Sequence, residues 1–318
     1  MRGCTTNEKR KNNMSLRSQA SYNPTLTAYE QGHAQDIANA LAEFIAPTVP
    51  VAGTVGRYKI FNAKNAFQSY NTARAVGGRA VRIDFAQSDG TYNAEPQALE
   101  VPIDDAEREA AGDMVQALEE GKVRTLLAAA ALSHEDKVVT LAKTLTAAAG
   151  KGVWSDTSVD PVAEIDAQIE ALTEATGMMP NAIAFGLGAW RVFRNHPKVV
   201  AKQPGAALIG VTESQAATLL LNPSIQVRVG VLSKDATKFG ATASKANLIG
   251  ADLFIFLRSP NPTVYDPSWM KTFAGGQGGI ASVRTYRDES ARSDVLAVDW
   301  SEDIQITSSI AAVRITVT

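Results

Sequence analysis

The residue types that most often carry chemistry are few and scattered in this chain. It contains three histidines, His33, His134 and His196, and one cysteine, Cys4. At 134–136, His, Glu and Asp are consecutive, but neighbouring side chains on a helix point about 100° apart and cannot converge on one metal ion. A lone cysteine can form neither an intrachain disulfide nor a cysteine-based zinc site. These residues predict surface or helix-capping histidines and no metal or other cofactor.

Motifs for nucleophilic catalysis and phosphate binding are also missing from the sequence. No G-x-S-x-G is present, and the Gly-Lys pairs at 121–122 and 150–151 lack the other residues of a P-loop. The glycine-rich segment 275–279 lacks the flanking strand and helix of a phosphate cradle, so it predicts a mobile loop. Three pairs of carboxylates lie at edges or polar faces of predicted elements, where solvated side chains are expected: 104–105, 119–120 and 302–303. The sequence therefore predicts no catalytic site and no enzyme.

Length and composition are those of an ordinary globular protein. The chain has 318 residues, of which 45% are hydrophobic and 20% charged, and a formal net charge of −2. This length allows two or three domains. A charge so close to zero argues against a dedicated nucleic-acid binder. No apolar run reaches the roughly 18 residues of a membrane span, and the start lacks the apolar core of a signal peptide. We expect a soluble protein made in a reducing compartment.

The first hundred residues predict little regular core. Residues 1–20 are polar and basic and predict a disordered arm, and an apolar stripe over 34–46 predicts a short helix. Residues 51–103 are rich in Gly, Asn, Thr and Ala, and alternate in polarity over 79–85. We interpret this segment as a long two-stranded excursion. Because an isolated hairpin is marginally stable in water, we expect it to lie on another surface, such as a neighbouring chain.

The next segment predicts helix. Asp104 is a suitable N-cap, and the apolar residues of 123–131 follow the i, i+3, i+4, i+7 spacing of a buried stripe. Gly112 and Gly121 interrupt the pattern, and 133–136 resembles a further cap. The sequence leaves open whether 104–149 is one long helix or two to three shorter ones.

From residue 151 the pattern becomes mixed helix and strand. Asp160-Pro161 predicts the start of a helix and Gly177 its end, and a capping box at 212–215 predicts the start of another. Strands are predicted where apolar or alternating runs occur: 182–185, 225–231, 253–257 and 313–317.

This order of elements, together with several local phrases, resembles a known family. The phrases are LAEFIAPTVPV (41–51) before GRYKIF (56–61), Tyr92, Trp154-Ser155-Asp156 with Asp160-Pro161, and ATGMMPNAIAFGLGAWRVFRNHP (175–197). Over about 15–318 the chain resembles the major capsid proteins of tailed bacteriophages, which have the HK97-like fold. The resemblance implies an α+β architecture with an N-terminal arm, an extended loop called the E-loop, a peripheral domain with a long spine helix, and an axial domain.

The resemblance also implies domain boundaries and interface residues. The expected segments are an arm and short helix at 1–53, the E-loop at 54–102, a peripheral domain with the spine helix at 103–150, the axial domain at 151–290, and terminal peripheral strands at 291–318. The residues expected at contacts between subunits are Tyr58, Phe61, Arg79, Arg82, Asp84, Tyr92, Gly275, Gly276, Gly278 and Gly279. The glycines would belong to a loop near the symmetry axis of a capsomer.

The implied function is the assembly of a virion. Copies would form pentamers and hexamers that close into an icosahedral shell around double-stranded DNA, assembled in the host cytoplasm. Implied partners are other copies of the chain, scaffolding, portal and decoration proteins, and packaged DNA through weak non-specific contact, with no membrane.

Three other interpretations remain at this stage. An encapsulin-like nanocompartment shell would share the fold and enclose cargo enzymes. A soluble α/β enzyme with an unrecognised site would draw on 151–260 and would run as a monomer or small oligomer. A tail-tube or sheath subunit would form rods or rings.

Overall fold

A computed structural model of the chain describes residues 21–22, 40–60, 73–74, 77–79, 88–202, 210–235, 237, 242, 244–275 and 282–318. The chain divides into two compact units. The small unit comprises Met1–Asp36, Ala98–Leu127 and Ala281–Asp299, and the large unit comprises Ile37–Gln97, Ala128–Ile280 and Trp300–Thr318.

The described residues form both helices and strands. The helices are α1 (Ala42–Ile45), α2 (Asp105–Ala111), α3 (Val115–Ala142), α4 (Pro161–Thr176), α5 (Leu187–Asn195), α6 (Pro197–Lys202) and α7 (Glu213–Leu219). The strands are β1 (Ser21–Tyr22), β2 (Thr48–Val51), β3 (Val55–Ile60), β4 (Ser88–Asn93), β5 (Glu95–Asp104), β6 (Ala182–Gly186), β7 (Gln226–Gly230), β8 (Ser233–Asp235), β9 (Lys245–Asn247), β10 (Asp252–Phe256), β11 (Met270–Gly275), β12 (Ser282–Asp288), β13 (Ser293–Ile306) and β14 (Ala312–Thr316).

The small unit is built on antiparallel strands. β12 pairs with β1 on one side and with the first part of β13 on the other. Its fully buried apolar side chains include Val123 on α3, Val283 on β12 and Val298 on β13. At its surface, the Arg287 guanidinium donates two hydrogen bonds to the Asp105 carboxylate, at 2.5 and 2.6 Å.

The large unit has a four-stranded sheet that is buried on both faces. Its strand order is β14-β10-β6-β7, with β6 and β7 parallel and the other pairs antiparallel. Ile183 and Phe185 face one apolar cluster, with α4 and α5, whereas Ala182 and Ala184 face a second cluster, with α1 and the end of α3. Burial on both faces explains why β6 and β10 are continuous apolar runs rather than alternating ones.

A second sheet in the large unit joins distant parts of the chain. β11 pairs antiparallel with the last residues of β13 and parallel with β2. Phe273 lies at the centre of β11, opposite Val49 on one side and Asp303 on the other.

The predicted helix ends and strands of 151–318 are confirmed. The Asp160 carboxylate accepts a hydrogen bond of 3.1 Å from the Val162 N–H at the start of α4, and Gly177 ends that helix with φ of 68°. Thr212 and Gln215 form a reciprocal capping box at the start of α7. The strands at 182–185, 225–231, 253–257 and 313–317 correspond to β6, β7, β10 and β14.

The region 104–149 contains one long helix preceded by a short one. Asp104 caps α2, as predicted, by accepting 2.8 Å from the Ala106 N–H. The break falls at Gly112, where φ is 51°, and the 28-residue α3 runs uninterrupted through Gly121. The 3-10 turn Gly112–Met114 separates the two helices.

The prediction that 133–136 caps a further helix is wrong, because these residues lie inside α3. Glu135 instead caps a different helix. Its carboxylate is 2% exposed and accepts hydrogen bonds from the Leu41 N–H (3.0 Å) and the Ala42 N–H (2.6 Å) at the start of α1. Burial raises the pKa of Glu135, and the two backbone N–H groups oppose this rise.

Several predictions fall wholly or largely outside the described residues. These are the arm at 1–20, most of the helix at 34–46, the alternating stretch 79–85 apart from Arg79, and the glycines after 275. The described part of the predicted helix is the single turn α1.

Candidate assembly interface

The predicted excursion begins as a regular antiparallel hairpin. β3 and β4 pair in register from Val55 opposite Asn93 to Ile60 opposite Ser88. The Lys59 ammonium and the Asp89 carboxylate, which are register partners, form an ion pair across the hairpin at 2.5 Å. The described part of the excursion therefore confirms a two-stranded structure at its root.

The root of the hairpin is fixed by three aromatic rings. The ring of Phe273 on β11 is fully buried, and the Tyr58 and Tyr92 rings stack on it. The centroid of Tyr58 is 5.2 Å from that of Phe273, at an interplanar angle of 25°, and the centroid of Tyr92 is 4.7 Å away, at 16°. Stacked aromatic pairs contribute about 0.5–1.5 kcal/mol each beyond their buried area, so these rings hold the two strands to the sheet.

Each tyrosine occupies the space above a glycine on the opposite strand. Tyr92 is the register partner of Gly56, and Tyr58 is the register partner of Gly90. A Cβ on Gly56 would lie within 3.0 Å of the Tyr92 ring, and one on Gly90 within 3.0 Å of the Tyr58 ring. The glycines let the rings cross the hairpin and reach Phe273.

The root is also joined to β13 by polar contacts. The Asn93 N–H donates 2.7 Å to the Asp303 carboxylate, and Asp303 is itself opposite Phe273 in the sheet. Burial raises the pKa of the Tyr58 hydroxyl, and the negative charge of Asp303 raises it further. Both effects favour the neutral form of the Tyr58 hydroxyl.

A buried ion cluster lies beside this root, and it corrects one sequence-based expectation. The pair 302–303 was expected to be solvated, but the Glu302 side chain is only 7% exposed. Its carboxylate lies 2.6 Å from the His134 Nδ1 and accepts 2.7 Å from the Lys137 ammonium. Burial alone would raise the pKa of Glu302, but His134 and Lys137 outweigh burial and lower it to about 2.

Lys137 and Glu302 of this cluster line a groove of about 510 Å³, together with Asn93, Glu95 and Asp303. In the described part of the chain, no three His, Cys, Asp or Glu side chains are grouped to hold a metal ion. His196 has a capping role, since its Nδ1 accepts from the Lys198 N–H at 3.3 Å in the first turn of α6. Among the described helices, none is both long and apolar enough to cross a bilayer.

The structure places the predicted interface residues in three different settings. Tyr58 and Tyr92 are buried, and their rings contact Phe273 of the same chain, so their part in a contact between copies stays a prediction. Arg79 is exposed. Six further residues lie outside the described part of the chain: Phe61, Arg82, Asp84, Gly276, Gly278 and Gly279. Gly275 is among the described residues.

Gly275 departs from the predicted loop. It is the last residue of β11, pairs with Val51, and accepts 3.2 Å from the Ser301 hydroxyl through its carbonyl. The prediction of a loop beginning at 275 is wrong at this residue, because the strand continues to it.

Sequence reasoning missed the residues that organise this region. Phe273, Glu302 and Lys271 are all buried, and all lie on β11 or β13. The alternation of Lys271 and Phe273 with smaller residues was a weak strand signal. The burial of Lys271 and of Glu302 could not be predicted from sequence, because the residues that pair with them were not known.

Comparison with known proteins gives one sequence relative and several structural ones. No family model matches the chain. The sequence is 25% identical over 256 residues, 77% of this chain and 81% of the relative, to the major capsid protein of Burkholderia phage BcepMu. The structure resembles that of a phage-related protein from Bordetella bronchiseptica, with a TM-score of 0.72, 26% identity, and coverage of 93% of this chain and 97% of that one.

The chain is similar in sequence to a phage major capsid protein, and it has the HK97-like fold. The same fold is found in the mature capsid of bacteriophage PhiM1, at a TM-score of 0.52 and 12% identity, over 88% of this chain and 87% of that one. The SrpI encapsulin of Synechococcus elongatus also shares it, at 0.52 and 11%, over 87% and 86%. At such identities the likeness concerns the fold alone. The predicted α+β fold class and the predicted capsid function are confirmed.

Proposed function

We propose that copies of this capsid protein assemble through pentamers and hexamers into an icosahedral shell that encloses double-stranded DNA. The observation that carries this proposal is the root of the hairpin, whose two strands are anchored on Phe273 and are connected through residues 61–87. A two-stranded extension cannot bury enough area by itself to be stable in water. We propose that it gains its remaining burial on a neighbouring copy, where folding and association free energies are shared.

The remaining details belong to the same proposal. The segments are the arm at 1–53, the E-loop at 54–102, the spine region at 103–150, the axial domain at 151–290 and the terminal strands at 291–318. Contacts between copies would use the hairpin tip, including Phe61, Arg79, Arg82 and Asp84. Scaffolding, portal and decoration proteins would bind the shell, packaged DNA would touch it weakly, and assembly would take place in the host cytoplasm.

We also propose that the role is architectural and not catalytic. Two buried carboxylates of the large unit are engaged in structure, because Glu302 is paired with His134 and Lys137, and Glu135 caps α1.

The test is to express the full chain and examine it by sedimentation and negative-stain electron microscopy. Closed shells support the proposal, and nuclease-protected DNA in particles from phage-producing cells supports the capsid over an encapsulin-like shell. Particles that contain protein cargo and no DNA would favour the encapsulin-like alternative. A monomer or small oligomer at high concentration would contradict the proposal, as would rods or rings.

A further inference from the structure

The middle of β11 contains a lysine that is completely buried. Lys271 is 0% exposed, and its ammonium donates 2.7 Å to the Thr263 carbonyl and 2.7 Å to the Asp266 carbonyl. It also lies 3.1 Å from the Asp266 carboxylate. An ammonium has three donors, so all of them are used on one short segment.

This burial needs a reason, because removing an ammonium from water costs several kcal/mol and an apolar residue would suit a buried strand. Burial lowers the pKa of Lys271, although Asp266 opposes the effect. The buried ammonium has a structural effect that an apolar side chain would lack. It binds three oxygen acceptors on Thr263 and Asp266 and so connects both ends of a four-residue stretch of loop. Lys271 therefore holds 263–266, the centre of the segment 259–267, which we call the Tyr265 loop.

Other hydrogen bonds also restrict the conformation of the Tyr265 loop. The Asp266 carboxylate accepts from the Thr263 hydroxyl at 3.1 Å and from the Ser268 hydroxyl at 2.8 Å. The Tyr265 N–H donates 3.2 Å to the Thr263 hydroxyl. Three prolines, at 260, 262 and 267, further restrict the backbone.

The side chain that this rigid loop presents is an aromatic ring in solvent. Tyr265 is 71% exposed, the most exposed of the large hydrophobic side chains in the described part of the chain. Tyrosine is enriched at the energetic centres of protein interfaces, since it offers a large contact area and loses little conformational entropy. The only charged side chain of the loop, Asp266, is already engaged by Lys271, so the exposed surface is neutral.

The Tyr265 loop is continuous with the root of the hairpin. The Lys59 N–H donates 3.5 Å to the Val264 carbonyl, and the Val264 side chain packs against the cluster of Tyr58, Tyr92 and Phe273. The proposed function places the hairpin on a neighbouring copy. The Tyr265 loop therefore lies beside the point from which the hairpin would leave toward that neighbour.

We propose that Tyr265 anchors a contact with a second copy of this chain, and that Lys271 is the positioning residue that holds the Tyr265 loop ready for it. The inference rests on the proposed function, since it names a residue of the shell contact. The Tyr265 contact differs from the hairpin contact because it uses a loop that is already held in one conformation within the subunit.

The test uses full-length protein and measures the concentration at which particles form, by sedimentation. Tyr265→Ala is expected to raise this concentration at least about tenfold, the change typical of losing an interface anchor. Tyr265→Phe keeps the ring and is expected to assemble like the wild type. Both variants should keep the thermal midpoint of the unassembled subunit, because the ring lies in solvent.

The positioning role of Lys271 is tested with a separate variant. Lys271→Met keeps a similar volume without the ammonium, and is expected to weaken assembly although Tyr265 is present. A photo-crosslinking amino acid at 265 in an otherwise normal chain should join two copies, and this measurement remains informative if Lys271→Met fails to fold.

The outcomes separate the inference from the proposed function. If the wild type forms shells and Tyr265→Ala forms them at the same concentration, or if the crosslinker joins no copies in those shells, the Tyr265 contact is overturned. Assembly of folded Lys271→Met at the wild-type concentration overturns the positioning role. If the wild type forms no shells under any condition, it is the proposed function that fails.

Discussion

His134 Nδ1 lies 2.6 Å from the Glu302 carboxylate, so a residue of α3 and a residue of β13 form a hydrogen-bonded pair inside the large unit. Lys137, one turn further along α3, binds the other carboxylate oxygen at 2.7 Å. The pKa of Glu302, about 2, lies below the ordinary value of 4.5, so the folded state favours the ionised form. The pair therefore fastens the helix to the strand most strongly when Glu302 is charged.

The sign of the pH dependence follows from this lowered pKa. The contribution of Glu302 is fully present above pH 4.5 and is lost as the pH falls toward about 2. Relative to Glu302→Gln, the unassembled wild-type subunit should be more stable at pH 6, and this advantage should shrink by about 2–3 kcal/mol by pH 2. Urea denaturation at several pH values measures it. The exposed Glu95→Gln variant serves as a control in the same groove, and an advantage that does not depend on pH would contradict the prediction.

The glycines of the hairpin give a second prediction. Gly56→Ala and Gly90→Ala should each destabilise the subunit by about 1–3 kcal/mol, because the new methyl group would displace a tyrosine ring that is stacked on Phe273. Thermal unfolding of the unassembled subunit measures the loss. Gly53→Ala is the matched control, since the nearest atom to a Cβ there is a carbonyl oxygen at 3.6 Å. Equal stability of all the variants would show that the rings can move at no cost.

Two glycines near the start of α3 should respond in opposite directions to the same substitution. Gly121 lies inside the helix with nothing within 4 Å of a Cβ, so Gly121→Ala should stabilise the subunit by about 0.5–1 kcal/mol. Gly112 also has open space, but its φ is 51°, and Gly112→Ala should destabilise because a Cβ disfavours this backbone. Paired melting curves test the difference. Stabilisation by both changes would mean that the break between α2 and α3 is not fixed at Gly112.

The remote cap of α1 provides a further prediction. Glu135→Ala should cost about 2–4 kcal/mol, since two backbone N–H groups at the start of α1 would lose their buried acceptor. Glu135→Gln retains one oxygen acceptor and should cost less. Chemical denaturation compares the two variants, and an alanine variant as stable as the glutamine variant would rule out a capping role.

The segment 61–87, which we call the hairpin tip, can be removed without changing the paired strands at the root. Replacing 61–87 by a short Asn-Gly turn should leave a folded subunit, because Tyr58 and Tyr92 remain on Phe273. The shortened protein should not close shells, since the segment proposed to lie on a neighbour is gone. Circular dichroism and sedimentation read out the two effects separately. A variant that loses its fold would place the tip in the core of the subunit, and one that closes normal shells would contradict its role in assembly.

The sequence predicted the elements whose signals are local. The cap at Asp160, the glycine at 177 and the capping box at Thr212 depend on a few neighbouring residues, and all were found. The roles of Glu135 and Glu302 depend on partners far along the chain, at 41–42 and at 134–137, so an exposed surface was the better expectation from sequence. Lys271 was missed for the same reason: its acceptors are backbone carbonyls, which have no sequence signal.

The stacking of both hairpin strands on one phenylalanine has a consequence for how such a chain varies. The aromatic contacts of both strands are completed within the subunit, at residues that precede Ile60 and follow Ser88. Insertions, deletions or grafted peptides between Ile60 and Ser88 can therefore change the length of the connecting segment while Tyr58 and Tyr92 stay stacked on Phe273.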